Sequence, residues 1–326
     1  MWLFFTAAIQ TRKSEKFLWI KSFLIIRFND IEGVNVMQET SFIVIRGNSM
    51  RLDGGTMFGN APKALWQKWI QADERGMIDI ASNCLLVRTG NHNLLFETGC
   101  GAYLSPDMKA RFAVKEETHM LLQALAEQGL NDSDITHVVL SHLHFDHAGG
   151  LLSAWEPDRE PDLLFPNALF VVGEEHFKRA KSPHHRDRAS FIPGLAEKLQ
   201  ATGRLVLKRG GDRLVVGGVT LEFFQSQGHT PGMLISWIQA QGGTVIYTAD
   251  LIPGLPWVNL PITMGYDRFA EGLVDEKKQM LDRAVAEDAL LVFPHDPTHV
   301  AARVERDPVK KRVMPATLFE TLNMTL

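Results

Sequence analysis

The stretch SHLHFDHAGG, Ser141 to Gly150, restricts what this chain can fold into more than any other part of it. Three histidines and an aspartate fall within six consecutive positions, His142 to His147, directly after the apolar run ITHVVL and just before paired glycines. Background residue usage yields a His-x-His-x-Asp-His match in only about one chain in a thousand. In extended backbone at a strand end, positions i and i+2 project from the same side. His142 and His144 can therefore share one metal ion while Leu143 points into the core. Asp146 and His147 follow after the chain turns, and adjacent residues diverge, so they are better placed to hold a second ion. The small Ala-Gly-Gly step then lets backbone approach the site and start a helix.

A chain of 326 residues exceeds the usual single-domain length, yet α/β folds often run that long as one unit. We expect one catalytic domain over residues 41–326, preceded by an N-terminal extension, residues 1–40, outside the core. The extension opens on the apolar MWLFFTAAIQ, but a basic stretch follows it, the reverse of a secretory signal. The next apolar run, FLWIKSFLIIRF, is short and carries Lys21 and Arg27, so stable membrane insertion is not expected. A net charge of −4, with 22% charged residues, supplies no global field for nucleic acid or an anionic membrane. Two cysteines, Cys84 and Cys100, are too few for a disulfide framework or a thiolate metal site. Both read as small buried residues of a protein in a reducing, cytoplasmic compartment.

Around the histidine loop, β runs and helical stretches alternate. SFIVIRG (41–47), NCLLVRTG (83–90) and NHNLLFETG read as strands, the last two joined by a hairpin at Gly90 and Asn91. VKEETHMLLQALAEQGL carries Val114, Met120, Leu121, Leu122, Leu125 and Leu130 on helical spacing, which predicts a helix closed by NDSD. ALFVVGEEHF reads as strand into helix, residues 204–250 as successive short strands, and DEKKQMLDRAVAED as a last helix before the strand ALLVF. The tract KSPHHRDRASFIPG (181–194) reads as a polar solvated loop, with a lid over a site as the other reading. Two β-rich halves, each joined to helices, fit a pseudo-duplicated α/β sandwich.

THVVLSHLHFDHAGGL resembles the metal motif of the metallo-β-lactamase superfamily. Three later strand-end motifs extend the resemblance in the order that superfamily uses: SQGHTPG with His229, IYTAD with Asp250 and VFPHD with His295. The likeness spans residues 41–300 and implies the four-layer αβ/βα sandwich of that fold. It also implies a dinuclear centre, with one ion on His142, His144 and His229, a second on Asp146, His147 and His295, and Asp250 bridging. Two divalent ions, two carboxylates and a bridging hydroxide leave a charge of about +1, suited to an oxyanion or phosphoryl transition state. Ions in such sites lie about 3.5–4 Å apart, lower the pKa of the shared water and polarise the substrate oxygen. Asp146 and Asp250 are the expected catalytic carboxylates, Asp146 passing the water's proton to the leaving group. Zn²⁺ is the default ion for this ligand set; Mn²⁺, Fe²⁺ and Co²⁺ also fit.

LLFETGCG resembles the superfamily's short Asp-x-Gly motif, with the longer Glu97 in the acidic position. From there Glu97 would orient a metal-binding histidine. The other histidines (His92, His119, His137, His176, His184 and His185) read as solvated or structural, and His299 at most as a pocket-mouth residue. Asp250 sets the chain apart from true β-lactamases, where that carboxylate is typically missing. The motifs are similar to those of the N-acyl-homoserine lactonases and the methyl parathion hydrolase group. Those lactonases carry a Tyr three residues after the bridging Asp, where this chain has Pro253, so Tyr266 is the substitute donor we expect. Neither the basic tail of glyoxalase II nor the long Gly/Pro-rich arm of ribonuclease Z is recognisable.

Phe145 and Trp257, with Met57 and Phe58, are expected to line an apolar acyl or aryl site; Trp66 and Trp69, at i and i+3, read as a core stripe. The sequence thus points to a dinuclear metallo-hydrolase of small, partly apolar esters: lactone, carboxyl ester, thioester or phosphotriester. Its expected partner is a small-molecule substrate and not nucleic acid, and a homodimer is left open. The rival reading is a phosphodiesterase acting on nucleotides or nucleic acid, supported by Arg186 and Arg188.

Overall fold

In the computed structural model, which describes residues 39–326, sixteen strands sort into two seven-stranded sheets and a two-stranded ribbon. The extension expected over residues 1–40 therefore lies outside the described residues, apart from its last two. In chain order the strands are β1 (Thr40–Arg46), β2 (Met50–Asp53), β3 (Met77–Ile80), β4 (Asn83–Thr89), β5 (His92–Phe96), β6 (His137–Val139), β7 (Leu169–Gly173) and β8 (Leu205–Lys208). They continue as β9 (Arg213–Val216), β10 (Val219–Ser226), β11 (Met233–Ala240), β12 (Gly243–Tyr247), β13 (Leu290–Val292), β14 (Ala301–Arg306), β15 (Val313–Phe319) and β16 (Asn323–Thr325). The first sheet runs β16-β1-β4-β5-β6-β7-β8 and the second β15-β14-β13-β12-β11-β10-β9, while β2 pairs with β3.

Side-chain alternation along the central strands explains the layering. On β4, Leu85 and Val87 enter the core between the sheets, whereas Cys84 and Leu86 enter the core beneath the helices. On β12, Val245 and Tyr247 face inward and Ile246 outward; on β13, Leu290 and Val292 face inward and Leu291 outward. With both faces closed to water, such strands read as continuous apolar runs. The helix Met120–Glu127 buries Leu121 and Leu125 against the first sheet. On the other side, Ala270–Ala286 buries Leu273, Met280, Leu281 and Ala284 against the second. The result is helix, sheet, sheet, helix: the four-layer αβ/βα sandwich.

One helix is shorter than its periodicity predicts, beginning at Met120 instead of near Val114. Glu116 is drawn away to Ser49, accepting from its backbone N–H at 2.7 Å and its hydroxyl at 2.6 Å. The helix then starts where Asn48 Oδ1 accepts the Met120 N–H at 3.1 Å, a cap supplied from the β1–β2 loop. The paired glycines are required by close approach: a Cβ on Gly149 or Gly150 would overlap the carbonyls of Cys100 and Thr98. The histidine loop is thereby pressed against the segment that carries Glu97. Among the described residues, no helix is long and apolar enough to cross a membrane.

Candidate metal centre

Every ligand-type side chain named above leaves a strand at its carboxyl end. Glu97 follows β5, His142 to His147 follow β6, His229 follows β10, Asp250 follows β12 and His295 follows β13. Because β5 and β6 are parallel, as are β12 and β13, these ends share one rim of the sandwich, the usual place for a site in an α/β sheet. Two of the backbone positions are strained. Glu97 has φ 63° and Ala249, beside Asp250, has φ 46°, a left-handed conformation that a side chain adopts only when its surroundings hold it there.

The donor atoms converge as two histidine sets with a carboxylate between them. His142, His144 and His229 offer ligand atoms within 4.8 Å of one another, and Asp146, His147 and His295 do the same. Asp250 divides its oxygens: Oδ2 lies 3.2 Å from His229 Nε2 and 3.9 Å from His142 Nε2, while Oδ1 lies 3.1 Å from His295 Nε2 and 3.3 Å from His147 Nε2. Asp146 Oδ2 is 3.7 Å from His147 Nε2 and 3.6 Å from His295 Nε2. His142 Nε2 and Asp250 Oδ1 are buried without a hydrogen-bond partner. Buried polar atoms are nearly always partnered, so orphaned donor atoms aimed at one spot fit divalent ions. The residues present thus match a two-ion centre in number, donor type and placement.

In His229, His295 and His147 the outward-facing Nδ1 is anchored, which leaves Nε2 free to ligate. His229 Nδ1 donates to Asp267 Oδ1 at 2.9 Å and His295 Nδ1 to the Ala81 carbonyl at 2.9 Å. His147 Nδ1 faces Glu97 Oε2 at 3.4 Å, and Glu97 Oε1 accepts the Ser141 N–H at 2.6 Å. Glu97 therefore ties His147 to the start of the histidine loop. Burial, then the neighbouring imidazoles, hold His142 and His144 well below the usual histidine range, so both are neutral. Burial opposes charge on Asp250, yet His147, His295 and His229 hold it well below the usual carboxylate range. At His147 burial is outweighed by Asp250, Asp146 and Glu97, which raise its pKa. A carboxylate cluster that favours a proton there favours a divalent cation equally.

A cavity of about 390 Å³ opens over this centre, and its walls correct part of the sequence reading. Phe145, Tyr266 and Met57 line it together with Leu52, Thr56 and Met264. Trp257 does not. It is 2% exposed, stacks on Phe58 at 4.5 Å and donates Nε1–H to the Met57 carbonyl at 3.0 Å, so it and Phe58 brace the wall from the core. Tract 181–194, read as a solvated loop, also contributes: Arg186, Asp187 and Ser190 line the cavity, and Asp187 is clamped between Arg179 at 2.7 Å and Arg268 at 3.6 Å. Arg188 and His299 belong to other cavities.

One supporting residue, Asp267, escaped the sequence reading, and a second, His176, read as solvated or structural, is structural. Asp267 stands next to Tyr266 and supports His229, with no motif to announce it. His176 is fully buried; its Nε2 accepts the Leu143 N–H at 2.8 Å and its Nδ1 donates to the Pro231 carbonyl at 3.1 Å. Burial pushes its pKa down to about 3, which matches that neutral, two-bond role.

Comparison with known proteins gives a consistent picture. The family model described as the metallo-beta-lactamase superfamily matches residues 78–295, more than half of the chain. An N-acyl homoserine lactonase of a Bacillus species is 24% identical over 231 residues, covering 68% of this chain and 83% of the relative. A Thermus thermophilus ribonuclease is 29% identical over 163 residues, covering 50% of this chain but 35% of its own length. Among solved structures, a probable metal-dependent hydrolase from Staphylococcus aureus superposes with a TM-score of 0.75 at 27% identity, covering 88% of this chain and 98% of the other. AidC, a dizinc quorum-quenching lactonase in complex with a product, shares the fold with a TM-score of 0.66 at 21% identity, covering 85% and 94%.

Proposed function

The chain belongs to the metallo-β-lactamase superfamily and is a metal-dependent hydrolase, and on that premise we propose that it cleaves small, partly apolar ester-type substrates at a dinuclear zinc centre. Lactones come first, ahead of carboxyl esters, thioesters and phosphotriesters, because the lactonase relative supports them. The observation that carries the two-ion reading is Asp250, whose two oxygens each face a different histidine set. Bound by these side chains, divalent ions supply Lewis acidity and an activated water.

The chain's own residues do the remaining work. Asp146 is the most exposed of the seven, at 14% of its side chain, and faces the cavity. It is placed to take the attacking water's proton and return it to the leaving oxygen. Burial, with Asp146 and Asp53 nearby, pushes the Tyr266 phenol up to about 12. Tyr266 therefore keeps its proton at neutral pH and donates a hydrogen bond where negative charge develops. Leu52, Met57, Phe145 and Met264 exclude water and receive the apolar part of the substrate.

The phosphodiesterase reading is weaker. Among the described residues, Arg186 is the one Lys or Arg lining the cavity, and its guanidinium already donates to the Gly265 carbonyl at 3.2 Å. A polyanion needs a basic track. The test is elemental analysis followed by assays on an N-acyl lactone, an aryl ester, a thioester, a phosphotriester and bis-nitrophenyl phosphate. We expect two divalent ions per chain and turnover of a neutral ester. A metal-replete protein inert toward all the neutral esters would sink the proposal, and preference for the bis-phosphate would replace it with the phosphodiesterase.

A further inference from the structure

A second cavity, of about 320 Å³, lies away from the metal ligands, between the segment Val258–Ile262, the last helix and the β14–β15 hairpin. Its floor is apolar: Val258, Ile262 and Leu281 are 1%, 7% and 2% exposed, and Trp69 forms part of the wall. Its rim is basic. Lys278, Arg306, Lys311 and Arg312 line it against a single carboxylate, Asp282. Asp282 is already shared, bonded by Lys278 Nζ at 2.7 Å and by Arg306. Lys311 and Arg312, at the tip of the hairpin, have no carboxylate within 4.0 Å among the described residues, and Arg312 interacts with Asp307 only at longer range.

Apolar floor, two edge cations without a close counter-charge and a volume at the lower end of small-ligand sites together define the ligand. We propose that this cavity is a second ligand site for an amphipathic carboxylate, a free acid whose apolar chain lies on Trp69 and Leu281 and whose headgroup meets Lys311 and Arg312. A neutral lipid would leave the rim cations unmatched, and a fully polar anion would leave the floor uncovered. The floor is also mechanically connected to the active site. Lys277 Nζ donates to the carbonyls of Trp257 at 3.0 Å and Ile262 at 2.5 Å, and two residues on, the Met264 N–H donates to Asp267 Oδ2 at 2.6 Å. Asp267 is the residue that holds His229. Filling the cavity therefore stiffens a segment that ends on a support of the metal centre.

The test titrates decanoate into the full-length holoprotein by calorimetry and follows backbone hydrogen exchange. We expect saturable binding, slower exchange over residues 257–268, and affinity at least tenfold weaker for decanol and for decyltrimethylammonium. The double substitution Lys311→Glu with Arg312→Glu, which touches no catalytic group, should weaken decanoate at least tenfold while metal content stays unchanged; Leu65→Glu, on the same wall, serves as a second probe. Absence of saturable binding, equal binding of decanol, or decanoate binding untouched by the charge reversal would each overturn the proposal. So would protection confined to residues 142–147 and 295, because the acid would then be in the metal-centre cavity. N-octanoyl-homoserine, the ring-opened acid of an N-acyl lactone, run beside decanoate, distinguishes the two sources: tighter binding of the former assigns the site to an acid from the protein's own reaction, tighter binding of decanoate to a free fatty acid, and saturable binding of neither overturns the proposal.

Discussion

Asp267 Oδ1 lies 2.9 Å from His229 Nδ1, and its other oxygen accepts the Met264 N–H at 2.6 Å. One carboxylate thus fixes both the ring of a proposed metal ligand and the start of the turn behind it. Asp267→Ala should lower affinity for the ion at His142, His144 and His229 by about 10–100-fold, the usual effect of losing such a support. Asn, which keeps an acceptor, should retain more of it. Competition with a chromogenic chelator measures both; equal affinity in wild type and Ala variant would remove Asp267 from the centre.

Glu97 predicts a different pattern because it serves two partners. Its Oε1 holds Ser141 N–H and its Oε2 faces His147 Nδ1. Shortening it by one methylene in Glu97→Asp leaves the carboxylate able to reach one partner but not both. We expect about tenfold weaker metal retention, chiefly at the ion held by Asp146, His147 and His295. Two resolved dissociation phases, with only one accelerated, would be the signature; unchanged retention would show that the extra methylene is irrelevant.

The convergence of the histidine loop with His229, Asp250 and His295 is legible in the sequence because strand-end placement is a local property, written in apolar runs that stop at His142, Asp250 and His295. Register and reach across the fold are not local. Nothing near Asp267 says that it will meet His229, 38 residues away in the chain. Trp257 carried the composition of a pocket residue, but its ring is consumed by Phe58 and Met57, contacts that depend on how the segment before β3 folds back. The predicted helix over 114–130 failed at its first turn for the same reason: Asn48 and Ser49 compete for it from another loop. Strand β16, which pairs with β1 through Ser41 and Thr325, joins the two ends of the described chain, a pairing that no local period encodes.

Trp257 and Tyr266 separate stability from chemistry. Trp257→Ala empties a stacked, fully packed position and should destabilise the fold by about 3–5 kcal/mol. Tyr266→Phe, at a residue 41% exposed, should leave the melting temperature unchanged and reduce kcat by about 100-fold if the phenol donates to the developing charge. Thermal melts and steady-state kinetics on both variants check the pair. A Phe variant with normal kcat would exclude the phenol from the reaction.

Lys277 is fully buried, and burial pushes its pKa down to about 7 despite the carbonyls that accept from Nζ. Between that value and the unfolded value of about 10.4, the unfolded chain binds the proton and the folded one does not. Stability must then rise with pH across this window, by about 3 kcal/mol between pH 7 and 9.5. Lys277→Met should abolish that slope. Urea unfolding of both proteins at the two pH values isolates the lysine, and parallel curves would mean that the ammonium stays charged in the fold.

Asp187 gives the last prediction, because it joins the 181–194 tract to the cavity it lines. The carboxylate is 7% exposed, accepts from Arg179 Nη2 at 2.7 Å, and has Arg268 Nη1 at 3.6 Å. Arg268 is itself anchored, its N–H donating to the Gly228 carbonyl at 2.8 Å, immediately before His229. Asp187→Ala would leave two half-buried guanidinium groups facing each other without a counter-charge, a loss of about 3–5 kcal/mol for a buried pair and less here because both arginines keep some water. Repulsion acts on the tract first, since this clamp holds it down together with the Arg186–Gly265 hydrogen bond, the His184–Arg268 contact and the packing of Phe191 and Ile192. The substrate wall should therefore loosen while the ions stay in place. Kinetically, KM rises several-fold with kcat nearly unchanged, and limited proteolysis begins within residues 182–190. If kcat falls and metal is lost while the tract stays protected, the clamp acts on His229 and not on the wall.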